Sequence, residues 1–145
     1  QAIPNIAIAQ RASMTFVATP NADQAHTDQV MDIFADLGKA MLVDEHLLSA
    51  GTSMAGCGIA YAMRYVRAAS EGGVELGFKA DEAKEIALQT MAGAVALLQA
   101  TGCHPEAEID RVTTPGGLTI RGLNAMEQAG FSNAVIQGLV CGKHK

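Results

Sequence analysis

Apolar residues fall at helical spacing along most of this chain and take a strand-like pattern only near its start. Ile3 to Ile8 is apolar but carries Pro4, which fits an extended lead-in or at most an edge strand, because proline cannot donate to a sheet ladder. Met14 to Ala18 reads as a strand, ended by Thr19-Pro20-Asn21. From Asp23 to Leu37 the positions Val30, Ile33, Phe34 and Leu37 keep the helical period, and Gly38 is placed to cap that helix. Ala40-Met41-Leu42-Val43 predicts a second short strand.

After Asp44-Glu45 the pattern is helical to the end. Glu45 to Ala55 predicts one helix weakened by Gly51, and Gly56-Cys57-Gly58 a break before a long helix from Ile59 to Leu76. In that helix Ile59, Met63 and Val66 form one stripe, Tyr61 and Tyr65 lie on another face, and Arg64, Arg67 and Glu71 make a narrow wet side. Gly72-Gly73 marks a weak spot or a bend. Asp81, Glu82 and Glu85 open the next helix, where negative charge meets the positive end of the dipole, and it runs to about Thr101. Pro105 suits the first position of a following helix. Leu118 to Ala129 predicts another, closed by Gly130, and Ser132 is placed to cap a last helix, Ala134 to Val140, before a basic tail, Lys143-His144-Lys145.

The helix ending at Thr101 changes the picture. Between Ile86 and Gly102 no charged side chain occurs on any face, and a helix apolar all round must be covered all round. Ala92, Gly93, Ala94 and Ala96 let other helices approach closely, with Leu97 and Leu98 filling the spaces between. So few helices hardly surround it, so a partner subunit is expected. The alternative is a single-chain bundle with this helix at its centre. Each aliphatic side chain buried by a second chain contributes about 1.5–3 kcal/mol before association costs.

Composition narrows the function classes. With 145 residues, 49% hydrophobic and 17% charged, the chain has material for a real core and not the balance of a disordered one. A net charge of −5 and 4% aromatic residues supply neither a basic stripe nor a stacking platform, so nucleic acid is not expected. The uncharged run from Ile86 to Pro105 is interrupted by Gln89, Thr90, Gln99 and Thr101, so no membrane span is expected. Cys57, Cys103 and Cys141 lack paired metal spacing, and an odd count fits a reducing cytoplasm. His26, His46, His104 and His144 are too scattered for a metal site, and none is expected. No serine has a nucleophile-elbow context, and Asp44-Glu45 at a helix start is explained by the dipole.

The stretch Thr113-Thr114-Pro115-Gly116-Gly117-Leu118-Thr119-Ile120 carries the strongest candidate chemistry. Pro115 ends what precedes it, two glycines allow a tight turn, and Thr119 sits beside helix-start amides that lack intrahelical partners. Such a helix start favours a carboxylate or phosphate. The competing reading is a capped loop between packed helices.

This stretch, with Pro105, Val112, Gly122-Leu123, Met126-Glu127 and Gly130-Phe131, resembles the signature of pyrroline-5-carboxylate reductase. Asp44-Glu45 followed by Gly56-Cys57-Gly58-Ile59-Ala60-Tyr61 resembles that family's acidic pair and its Gly-Ser-Gly-Pro-Ala-Tyr turn, and Gly73-Val74-Glu75-Leu76-Gly77 matches the end of the next helix. Pro4-Asn5 resembles its Met-Pro-Asn-Thr-Pro segment.

The resemblance implies a mainly α fold: a helical bundle that interleaves with a partner subunit, preceded by a strand-helix-strand remnant of an α/β nucleotide-binding domain. Residues 1–44 would be that remnant and 45–145 the helical dimerisation and substrate-binding domain. It implies transfer of hydride from NADPH or NADH to the imine carbon of 1-pyrroline-5-carboxylate, giving L-proline, in a cytoplasmic homodimer. No Gly-x-Gly-x-x-Gly turn follows a strand, so no nucleotide is expected on this chain alone and the chain is expected to be inactive by itself, a piece of a longer protein. Carried over by motif, Thr114, Gly116, Gly117, Leu118 and Thr119 would hold substrate with Gly56, Cys57 and Gly58, and Asn5 would lie near the cofactor. No catalytic acid or base is assigned. Cys57, Ile59, Leu118 and Ile6-Ala7 depart from the family pattern, which leaves open a non-catalytic dimerisation module or a related imine or 2-hydroxy-acid reductase.

Overall fold

The computed structural model describes residues 1–142, so the basic tail expected at Lys143 to Lys145 lies outside the described residues. In chain order come β1 (Ala2–Ile3), a 3-10 turn (Ile6–Gln10), β2 (Ser13–Val17), α1 (Gln24–Ala35) and β3 (Gly38–Leu42). A second 3-10 turn (Glu45–Leu47), α2 (Leu48–Gly51) and a π-helical stretch (Thr52–Cys57) lead into α3 (Gly58–Glu75). Then follow α4 (Ala80–Thr101), α5 (Pro105–Arg111), α6 (Leu118–Gln128) and α7 (Phe131–Cys141). The fold is mainly α with a short strand-helix-strand unit near its start. It divides into two compact units: residues 1–62 with residues 135–142, and Met63–Ala134.

In the first unit β2 is the middle strand. It pairs antiparallel with β1, Ala2 opposite Val17, and parallel with β3 from Ser13–Gly38 to Val17–Leu42. Helix α1 supplies the crossover that a parallel pair requires. Alternation turns Ser13, Thr15 and Val17 inward, and all three are buried. The two hydroxyls satisfy one another across 3.0 Å. Gly38 takes φ 140°, and a β carbon there would collide with the Ser13 backbone, so glycine is what lets β3 start against β2. Helix α1 is capped by Asp23, whose carboxylate accepts from the His26 N–H at 2.9 Å. That N–H, and after it the His26 ring, hold the Asp23 carboxyl below its ordinary range against a small opposing desolvation. Leu48 joins Val17 and Ala18 in the apolar core, and Gly51 lies against the Phe16 ring. The Ser53 hydroxyl donates to the Leu139 carbonyl and the Tyr61 hydroxyl to the Gly138 carbonyl at 3.0 Å, which pins the end of α7.

Within the second unit, α3 from Met63 onward and α4 approach closely. A β carbon on Gly73 would stand 2.8 Å from the Ala83 methyl. Gly72-Gly73 therefore marks a helix crossing and not a bend, and α3 runs through it unbroken. Tyr65 meets Phe131 edge-on at 6.3 Å between ring centres. Helix α4 ends at Gly102 in the left-handed conformation, φ 62°, and α5 leaves at a bend of 114°. Among the described residues of this unit only Ala83 and Ala87 are buried. Ile86, Leu88, Val95 and Leu97 of α4 stay about half exposed, so the chain by itself does not cover this helix, which carries no charge from Ile86 onward. No single helix among the described residues is long and apolar enough to cross a membrane.

Five local expectations need correction. Gly38 does not cap α1: the C-cap is Asp36, and Gly38 opens β3. Of the segment Ile3 to Ile8 only Ile3 is strand, as the end of β1; Ile6–Gln10 winds into a 3-10 turn, where the Asn5 side chain accepts from the Ala7 N–H. The helix expected from Glu45 to Ala55 is divided among 3-10, α and π geometry. Gly56-Cys57-Gly58 does not break it: the Gly58 N–H bonds the Ser53 carbonyl, five residues back, and the backbone stays helical into α3. Ser132 lies inside α7 and its hydroxyl donates to the Glu127 carboxylate at 2.7 Å instead of capping the helix.

Candidate functional site

The Pro-Gly-Gly stretch builds a bare helix start. Helix α5 closes as the Thr113 N–H bonds the Asp110 carbonyl at 3.2 Å and the Thr113 hydroxyl bonds that of Ile109 at 2.7 Å. The chain then turns over Thr114 to Gly117, the Gly117 N–H donating to the Thr114 carbonyl at 2.9 Å. Pro115 fixes the second turn position and Gly116, at φ 69°, takes the third, where only glycine is free of strain. A β carbon on Gly117 would stand 3.0 Å from the Thr114 carbonyl oxygen and would also meet that threonine's side chain.

Gly117 is the cap residue of α6, with extended backbone, φ −68° and ψ 174°, and no side chain to close the first amides. Half-buried Ile120 and Leu123 set the inner face of α6, which leaves Thr119 and Leu118 outside, Leu118 at 86% exposure. Unpartnered N–H groups at the positive end of an eleven-residue helix, beside a threonine hydroxyl, suit an anionic oxygen. The structure thus brings Thr114, Gly116, Gly117, Leu118 and Thr119 into one turn.

Gly56, Cys57 and Gly58 form the second group. They lie half-buried at the junction of the π stretch and α3. A methyl group on Gly56 would come no closer than 3.5 Å to Thr52, and one on Gly58 no closer than 3.7 Å to the Ser53 carbonyl. Packing inside the chain therefore does not demand these glycines. Asn5 is held beside them: its Nδ2 donates to the Ala55 carbonyl at 3.3 Å. That tether, and the Ser53 bond to Leu139, escaped the sequence reading, and only the paired small hydroxyls Ser13 and Thr15 in a strand hinted at a polar anchor here.

The profile of the family described as "Pyrroline-5-carboxylate reductase dimerisation" matches residues 45–144. This chain belongs to the pyrroline-5-carboxylate reductase family. Pyrroline-5-carboxylate reductase 1 of Dictyostelium discoideum is 43% identical, aligned over all of this chain and 28% of its own length. Pyrroline-5-carboxylate reductase 2 of the same organism is 39% identical, over all of this chain and 53% of its own. The crystal structure of Plasmodium falciparum pyrroline carboxylate reductase with NADP bound shares the fold, with a TM-score of 0.92 at 24% identity over 98% of this chain and 59% of that one. The chain spans about half the length, or less, of these relatives.

Proposed function

We propose that this chain is the helical part of an NAD(P)H-dependent reductase that converts 1-pyrroline-5-carboxylate to L-proline as a homodimer. The bare start of α6, inside the segment that matches the family, carries the reading. A cyclic imino acid presents one carboxylate, and the Leu118 and Thr119 amides with the Thr119 hydroxyl supply the donors to hold it. Fixing the ring by its carboxylate sets the imine carbon in one place, which is most of what this chemistry asks of a protein.

The nicotinamide nucleotide, bound in the Plasmodium falciparum relative as NADP, supplies the hydride when present. This chain's residues do not fit its pyrophosphate: the connection from β2 to α1, Ala18 to Asp23, holds no glycine and so offers no phosphate cradle. We assign nucleotide binding to a part of the protein outside this chain, with residues 1–44 as the end of that domain. The β2-α1-β3 crossover and the start of the family match at Glu45 support that division. Homodimerisation is supported by the exposed apolar side chains of α4, and a reducing cytoplasm by three free cysteines.

A charge-assisted hydrogen bond contributes about 1.5–3 kcal/mol. In the full-length protein Thr119→Val should raise the Michaelis constant for the imine by roughly tenfold to a hundredfold. An unchanged constant removes Thr119 from the site. Turnover of other cyclic imino acids in preference would move the protein to a related reductase, and no turnover with NADPH or NADH would leave a dimerisation module.

A further inference from the structure

All four polar groups of Asn5 are engaged. Its N–H donates to Ser13 Oγ at 3.2 Å, and its carbonyl accepts from the Ile8 N–H at 3.1 Å. Its side-chain oxygen accepts from the Ala7 N–H at 3.1 Å, and its Nδ2 donates to the Ala55 carbonyl at 3.3 Å. The backbone partners of the amide have fixed polarity, a donor on one side and an acceptor on the other, so only one orientation of the amide satisfies both. Beneath it the Ser13 hydroxyl is anchored on the buried Thr15.

This side chain thus joins the N-terminal turn to a point 50 residues further along, immediately before Gly56. The segment it reaches needs a brace. Six residues from Thr52 to Cys57 are π-helical, a rare geometry that recurs at functional sites. Gly56 and Gly58 have no side chains with which to lock against neighbours. Ser53 ties the start of the stretch to the Leu139 carbonyl, and Asn5 ties its end.

We propose that Asn5 is a positioning residue for the substrate: its amide braces the π turn so that Gly56, Cys57 and Gly58 present their backbone to the cyclic imino acid in one register. It acts through Ala55 and not as a ligand of the nucleotide. The proposal rests on the reading of Gly56–Gly58 as substrate-proximal.

Asn5→Ser and Asn5→Asp separate the brace from the cap. Serine and aspartate both cap a helical turn well, so the Ala7 contact survives, but serine is too short to reach Ala55 and a carboxylate has no proton to donate to it. Hydrogen exchange on the full-length protein should show the Gly56–Ile59 amides exchanging about threefold to tenfold faster in both variants, with Ile8 and Arg11 unchanged. Steady-state kinetics should show the Michaelis constant for the imine rising by a similar factor while that for the nucleotide stays fixed. Unaltered exchange at Gly56–Ile59 overturns the brace, and a raised nucleotide constant with an unchanged imine constant overturns the substrate role. If the unsubstituted protein shows no reductase activity, the functional reading fails and with it the substrate role, while exchange still decides the brace.

Discussion

Leu97 on α4 gives the proposed dimer its sharpest test. In the single chain it is 54% exposed, so about half of its side chain still awaits cover. Complete burial of a leucine contributes about 1.5–3 kcal/mol, which leaves roughly 1 kcal/mol for the proposed second copy to supply. In a two-fold dimer the position occurs twice, so Leu97→Ala should weaken association by about 2 kcal/mol, roughly thirtyfold in Kd. Leu97→Glu should do more, since enclosing a carboxylate in an apolar contact adds several kcal/mol of desolvation. Sedimentation equilibrium over a concentration series reads both, with far-ultraviolet circular dichroism recording helix content. Where folding and association are one step, the same loss appears as a Tm that falls with dilution. On a chain whose α4 faces water, each substitution would change stability by less than about 0.5 kcal/mol. Variants that sediment like the unsubstituted protein at every concentration would refute the claim that α4 is an interface.

Other outcomes follow from single contacts. Gly51→Ala sets a methyl 2.7 Å from Phe16 Cδ2 in a buried position; overpacking costs about 1–3 kcal/mol, partly offset by up to ~1 kcal/mol of better helix propensity, so the Tm should fall. Gly116→Ala, at φ 69°, costs about 1 kcal/mol in stability and should loosen substrate binding more than it lowers Tm. The Asp23 carboxyl is held below its ordinary range, so its contribution to α1 is full above the ordinary carboxylate pKa and is lost as pH falls through the lowered one. Asp23→Asn keeps a cap acceptor and should flatten that part of the acid unfolding profile.

Much of this architecture is legible along the chain. Helices α1, α3, α4 and α6 announce themselves by apolar spacing, and the Pro-Gly-Gly turn by residues that only a tight turn wants. The surplus of apolar surface on α4 is legible too, because its uncharged run from Ile86 to Gly102 offers apolar side chains on every face. What escapes is the local winding. A π stretch differs from an α-helix only in that each N–H bonds one residue further back, too little for a six-residue pattern to register, and the glycines that read as a break sit at its end. The 3-10 turn at Ile6–Gln10 depends on one asparagine cap, and the Asn5–Ala55 tether joins residues far apart in sequence. Local periodicity carries no trace of such a contact.

Amide chemical shifts of the isotopically labelled protein under titration with L-proline test the assignment of the α6 start most directly. Saturable shifts are expected, largest at Leu118, Thr119 and Ile120, and weaker in Thr119→Val. Saturable shifts centred elsewhere, with those three amides unmoved, would contradict it.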